Sequence, residues 1–212
     1  LPALGVTKAF FQIGTLEDRF GDAPPWRDHL DAAADGLIAL SPLLRQTGIR
    51  LLLKTHEEIT TQEILRMIDR VGEDVLGIAL DPVNVVVRLE DPVEATRRLA
   101  RHVQQIHLED AALHWDGPLL RRLMCPIGEG CLDWPAILAI APDVPLWLEL
   151  HRGQFAMPVN DPEWLARQPD LVPAEVASVR AMADRFAGRP TPDQSDHDAR
   201  LPQLLAFART RA

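Results

Sequence analysis

Lysine is scarce in this chain of 212 residues: of the 22 basic side chains only Lys8 and Lys54 are lysines, and the rest are arginines. Basic charge as a whole is outnumbered, 31 acidic residues giving a net charge of −9. A chain of that balance, without clustered Lys and Arg, is unsuited to neutralising phosphates, which excludes a general nucleic-acid binder. Cysteine is limited to Cys125 and Cys131, too few for a disulfide framework or a zinc knuckle, and the expected setting is a reducing, cytoplasmic one. No apolar run approaches the roughly 18 residues of a membrane span, and Leu1-Pro2-Ala3 has no signal-peptide character. No membrane partner is expected.

What is present is a succession of short apolar runs separated by amphipathic stretches. Val6–Ile13, Ile49–Leu53, Val75–Leu80, Val103–Leu108 and Pro145–Leu150 read as buried strands. Between them, Leu30 to Leu44 recur at helical spacing, with Pro42 as a kink and Gly48 past the last turn. Thr60 and Glu63 form a capping box ahead of Ile64, Leu65, Ile68 and Val71. Asp91-Pro92-Val93-Glu94 is a second helix start, and Asp133 caps the helix of Ile137, Leu138 and Ile140. Ala111–Gly130 reads as a long loop. A Pro-rich stretch follows the fifth strand, then a helix through Val176, Val179 and Phe186, a polar linker over Gly188–Asp198, and a last helix from Leu201. Continuous rather than alternating apolar strands point to a parallel sheet covered by helices.

Polar residues fall at the C-terminal ends of these strands: Lys54, Asp81, His107 and Glu149. In a parallel sheet those ends are neighbours along one edge, where α/β folds keep their chemistry. Asp81, His107 and Glu149 together offer two carboxylates and an imidazole, a set suited to a divalent cation such as Mn, Co, Zn or Mg.

The stretches Leu51–His56 (LLLKTH), Gly77–Asp81 (GIALD), Gln105–Asp110 (QIHLED), Pro126–Trp134 (PIGEGCLDW) and Leu146–Glu149 (LWLE) resemble, in this order, the xylose-isomerase-like barrel superfamily. The resemblance implies a (β/α)₈ barrel of the TIM type, with one divalent metal held at the ends of the last four strands. Asp81, His107 and Glu149 match three of the ligand positions. Asp110, in a His-x-x-Asp pattern, resembles a residue that orients ligand or substrate. The resemblance further implies a small sugar or sugar-derived carbonyl substrate, isomerase or epimerase chemistry through an enediolate, and a homo-oligomer. Two departures stand out. Lys54 occupies the position of the first glutamate ligand, and Glu109 that of a lysine. The superfamily's isomerases work with a pair of glutamates, so Lys54 challenges that two-base mechanism.

Three roles for Lys54 follow. It pairs with Asp81 and Glu149 in place of the metal, or it acts as a general acid/base beside a metal held by Asp81, His107 and Glu149 with its pKa lowered, or His56 or Glu57 replaces the missing ligand. Catalytic candidates are therefore Lys54, Glu149 and His56. Substrate contacts are expected from Gln12, Asn84, Asp110, His151 and Arg152, the last two placed for an anionic group. Isomerisation is the leading expectation, a lyase or decarboxylase on a sugar acid with Lys54 as acid/base the alternative, and a catalytically silent binding protein the non-enzyme reading. Five strands matching the end of an eight-strand barrel, with no initiator Met, lead us to expect an incomplete barrel. Its last five strand–helix units would be present over 1–187 and its N-terminal units missing, with a linker and C-terminal helix over 188–212.

Overall fold

The computed structural model describes residues 5–194 and 198–210. The elements run β1 (Lys8–Phe11), α1 (Leu16–Phe20), α2 (Trp26–Thr47), β2 (Arg50–Lys54), α3 (Thr61–Val71), β3 (Leu76–Leu80), α4 (Pro82–Val85), α5 (Pro92–Leu99), β4 (Val103–Leu108), β5 (Asp110–Asp116), β6 (Leu119–Cys125), α6 (Trp134–Ile140), β7 (Leu146–Leu148), β8 (Phe155–Met157), α7 (Pro162–Ala166), α8 (Pro173–Asp184) and α9 (Leu201–Arg209). Five of the strands form one sheet in the order β1-β2-β3-β4-β7, and every neighbouring pair is parallel. This is the expected α/β architecture, a five-stranded parallel half-barrel with its helices packed outside.

The local signals behave as their chemistry dictates. Thr60 and Glu63 close a reciprocal capping box on α3, and the carboxylates of Asp91 and Asp133 accept from first-turn amides of α5 and α6. Gly48, with φ +66°, ends α2 and returns two amide bonds to its last turn. That helix starts at Trp26 and runs on through Pro42, so the proline does not end it. Helices α3 and α5 press Ile64, Ile68 and Leu99 onto Leu53, Ile78, Leu80 and Ile106, all at most 2% exposed. Each such side chain contributes about 1.5–3 kcal/mol by leaving water.

One expectation is corrected. Ala111–Gly130 is not a long loop, because β5 and β6 form an antiparallel hairpin paired from Asp110↔Cys125 to Asp116↔Leu119. Gly117 and Pro118 make its two-residue turn, Gly117 at φ +57°, the geometry such a turn requires of its first residue. The Pro-rich stretch in turn supplies β8, which pairs antiparallel with β6 to complete a second, three-stranded sheet. Of the linker over 188–198, residues 195–197 lie outside the described residues. Among the described residues no helix is long and apolar enough to cross a membrane.

Candidate active site

The parallel register brings the strand ends together. Lys54 is the last residue of β2, Asp81 follows β3, His107 lies near the end of β4 and Glu149 follows β7. Lys54, 4% exposed, donates from Nζ to both oxygens of Glu149 at 2.6 and 2.8 Å and stands 3.1 Å from Asp81 Oδ2. Burial works against its charged form, but the Asp81 and Glu149 carboxylates outweigh it and hold the ammonium above its ordinary pKa. Glu149 responds in the opposite sense. Burial again opposes the charge, while the hydrogen bond with His107 and the neighbouring Lys54 overcome it and bring the carboxyl down to about 2. Burial alone therefore does not lower the lysine pKa here: the two carboxylates favour the ammonium.

Asp81 is fully buried and held on several sides. Its backbone N–H donates to Thr55 Oγ1 at 2.6 Å, and that hydroxyl donates back to the Asp81 carbonyl at 3.1 Å. Asn84 Nδ2 donates to Asp81 Oδ2 at 2.8 Å. The other carboxylate oxygen, Oδ1, is buried without a hydrogen-bond partner.

His107, expected as a metal ligand, and His151, expected at the substrate, differ in what their ring nitrogens meet. His107 Nδ1 bonds Glu149 Oε2 and its Nε2 meets Gln105 at 2.7 Å, so both ring nitrogens are engaged. The imidazole that converges with the two carboxylates is His151. Its Nδ1 lies 3.8 Å from Asp81 Oδ2, 3.8 Å from Glu149 Oε1 and 3.5 Å from Glu109 Oε2, buried and without a hydrogen bond. Glu109 accepts from the His151 backbone N–H. Burial lowers the His151 pKa, and Glu109 with Asp81 more than restores it, leaving it raised. Asp81, Glu149 and His151 thus form one group able to surround an ion; His56, Glu57 and His151 form a second. His56 Nδ1 bonds the buried Glu58 and its Nε2 lies 3.0 Å from Glu57 Oε2.

The remaining candidates separate. Asn84 is buried beside Asp81. The Asp110 carboxylate is engaged by backbone: it accepts the N–H groups of Ala111, Gly128, Gly130 and Leu132, and burial pushes it up to about 7 against those bonds. Its role here is to fold the 126–132 turn. Gln12 is exposed beyond β1. Arg152 is exposed and, with His151, Asp193, Gln194 and Arg200, lines a small cavity of about 100 Å³. Sequence reading noted Glu109 only as a departure from the family pattern, and it gave no role to Glu58 or Arg122. Arg122 comes from the hairpin, which the sequence presents as a loop.

The donor set fits a divalent cation. Two carboxylates and an imidazole are ordinary ligands, and Asp81 Oδ1 and His151 Nδ1 are buried polar atoms that lack a partner.

The profile of the Xylose isomerase-like TIM barrel family matches residues 3–168. A 3-oxo-isoapionate decarboxylase of Pectobacterium atrosepticum is 34% identical over 111 residues, 50% of this chain and 40% of that protein. A Xylose isomerase domain protein from Planctomyces limnophilus shares the fold with a TM-score of 0.54 and 25% identity over 70% of this chain and 54% of its own. A Xylose isomerase-like TIM barrel protein from Mycobacterium smegmatis, solved in complex with magnesium, has a TM-score of 0.58 and 18% identity over 84% and 64%. The chain therefore spans 40% of the decarboxylase and between half and two thirds of the two solved barrels. A five-strand parallel arc with its polar cluster at the strand ends, matched by the profile over most of its length, belongs to the Xylose isomerase-like TIM barrel family.

Proposed function

We propose that this chain carries the site of a lyase that decarboxylates a small 3-oxo sugar acid. The observation that supports this reading best is Lys54 bridging Asp81 and Glu149. Isomerases and epimerases that move a proton between two faces of one carbon need two bases. Here one of the two positions is an ammonium held in its charged form by both carboxylates. One acid and one base suffice for a decarboxylation. The bond between the carboxylate carbon and the adjacent carbon breaks, its electron pair enters the neighbouring carbonyl as an enolate, carbon dioxide leaves, and the carbon takes one proton. The similarity to a 3-oxo-isoapionate decarboxylase points the same way.

In this reading Lys54 donates a hydrogen bond to the oxygen on which the enolate charge develops, and Glu149 holds the ammonium in line. His56, oriented by Glu58, supplies the proton to carbon. Asp81, Glu149 and His151 would hold a divalent cation, which when bound supplies polarisation of the substrate carbonyl. The partner is a small sugar-derived acid, not nucleic acid or membrane.

The test is to incubate the chain with 3-oxo aldonic acids of four to six carbons in deuterated buffer containing magnesium. The expected result is release of carbon dioxide with one deuterium at the adjacent carbon of the product. An epimerised or isomerised acid that retains its carboxylate would overturn the reading.

A further inference from the structure

Among the described residues, Arg122 is the largest charged side chain wholly removed from solvent, at 0% exposure. It arrives on β6, the inner strand of the antiparallel sheet, and sits across from Leu113. Its Nη1 donates to Asn84 Oδ1 at 2.6 Å and to the Val83 carbonyl at 3.3 Å; Nη2 donates to the Gly153 carbonyl at 2.8 Å; the guanidinium stacks 4.6 Å from the centre of the Phe155 ring. A buried charge of this kind is costly unless its hydrogen bonds are well spent. Here they tie together three segments: the start of α4, the hairpin, and the loop that carries His151.

The consequence lies one residue further on. A guanidinium can only donate and an ionised carboxylate can only accept, so an amide placed between them has one orientation. Arg122 takes the Asn84 oxygen, and the Asn84 amino group must turn to Asp81, where it meets Oδ2 at 2.8 Å. Lys54 approaches the same oxygen at 3.1 Å. Both donors thus occupy Oδ2, and the partnerless Oδ1 is the oxygen left over.

We infer that Arg122 is a positioning residue: acting through Asn84, it fixes the orientation in which the Asp81 carboxylate meets Lys54 and His151, and hence the one an incoming cation would encounter. The inference rests on the reading that Asp81, Glu149 and His151 receive a divalent cation. Groups that orient a ligating carboxylate typically change metal affinity 10–100-fold when removed.

The probe is Co(II) alone, titrated into the whole chain and followed by calorimetry and visible absorption, with circular dichroism and a thermal midpoint recorded for each protein. Arg122→Met and Asn84→Leu are each expected to weaken Co(II) binding about 10–100-fold while remaining folded. Because they interrupt one relay, the double variant should bind no more weakly than the weaker single one, whereas independent effects would multiply. If Arg122→Met does not fold, Asn84→Leu alone decides, since it leaves the arginine its carbonyl partners. Folded variants that bind Co(II) like the unaltered chain would overturn the inference. So would an Asn84→Leu variant with full affinity beside a weakened Arg122→Met, since the arginine would then act without Asn84. An unaltered chain that binds no Co(II) would overturn the cation reading itself and the inference with it.

Discussion

Replacing Lys54 by methionine removes the one cation that stands between Asp81 and Glu149 while keeping most of the side-chain volume. Glu149 lies at about 2 instead of the ordinary 4.5, a difference of roughly 3 kcal/mol at 1.36 kcal/mol per unit. His107 supplies part of that shift, and 26% of the Glu149 side chain remains in contact with water, so the share due to Lys54 is smaller. Against this, Asp81 is fully buried and would face Glu149 with no ammonium between them. Removing one member of a buried ion pair costs about 3–5 kcal/mol, and the two considerations together place Lys54→Met at about 3 kcal/mol. Urea unfolding at pH 7 reads that loss directly. The pH dependence adds a sign. The Glu149 contribution is complete above its ordinary value and is lost as pH falls towards about 2. Without Lys54 its carboxyl is held down less, so the acid loss still begins near the ordinary value but is smaller and is complete at higher pH. Adding Glu149→Gln to Lys54→Met should recover part of the stability. A Lys54→Met protein within about 0.5 kcal/mol of the original, the range of an ordinary surface change, would refute the reasoning.

Two further outcomes follow from buried carboxylates away from the cation-binding group. Glu90 is pushed up to about 7 by burial, against hydrogen bonds from Thr61 and the charge of Arg98. Its folded form binds a proton more readily than its unfolded form, so its contribution is fully present below the ordinary carboxylate value and is lost as pH rises through about 7. Glu90→Gln should flatten the unfolding free energy between pH 5 and 8, measured by urea titration at each pH, and an unchanged slope would contradict the assignment. A Cβ on Gly130 would lie 2.0 Å from Asp110 Oδ1 and 2.6 Å from the Ala111 carbonyl. Gly130→Ala should therefore cost at least about 3 kcal/mol and expose the Gly128 and Leu132 amides to hydrogen exchange; normal protection of both would show that Asp110 does not organise this turn.

The strands and their polar ends were legible because both signals are local: an apolar run followed by Lys54, Asp81 or Glu149 needs no knowledge of what packs against it. Helix starts were legible for the same reason, Thr60, Asp91 and Asp133 each meeting amides within three residues. The hairpin was not. Asp110–Leu113 and Arg122–Cys125 are buried throughout, so the apolar-polar alternation that marks an antiparallel pair is absent where the two strands join. Arg122 was hidden with it, since a charged residue in a presumed loop reads as solvated. The different settings of His107 and His151 have another origin. Glu149 and His151 are two apart along the chain leaving β7, and both reach the same cluster, whereas His107 already meets Glu149 through one nitrogen and Gln105 through the other. Hydrogen-bond saturation of a ring is a property of the assembled site and leaves no trace in spacing.

The rarity of lysine acquires a physical sense at this site. An ammonium is a compact charge on a flexible stem, whereas a guanidinium is a planar fork that engages carboxylates in pairs of bonds. At position 54 the compact group reaches both oxygens of Glu149 and Oδ2 of Asp81 while Oδ1 stays free. An arginine there would be broader and would bring five donors to a cluster whose carboxylates Lys54 meets with one ammonium. Arg122 shows the complementary use. Placed one residue behind Asp81, its fork spans Asn84, Val83 and Gly153, a task a single ammonium could not perform. The two cations act on the same carboxylate from different distances, lysine where an open oxygen must be preserved and arginine where three backbone segments must be held.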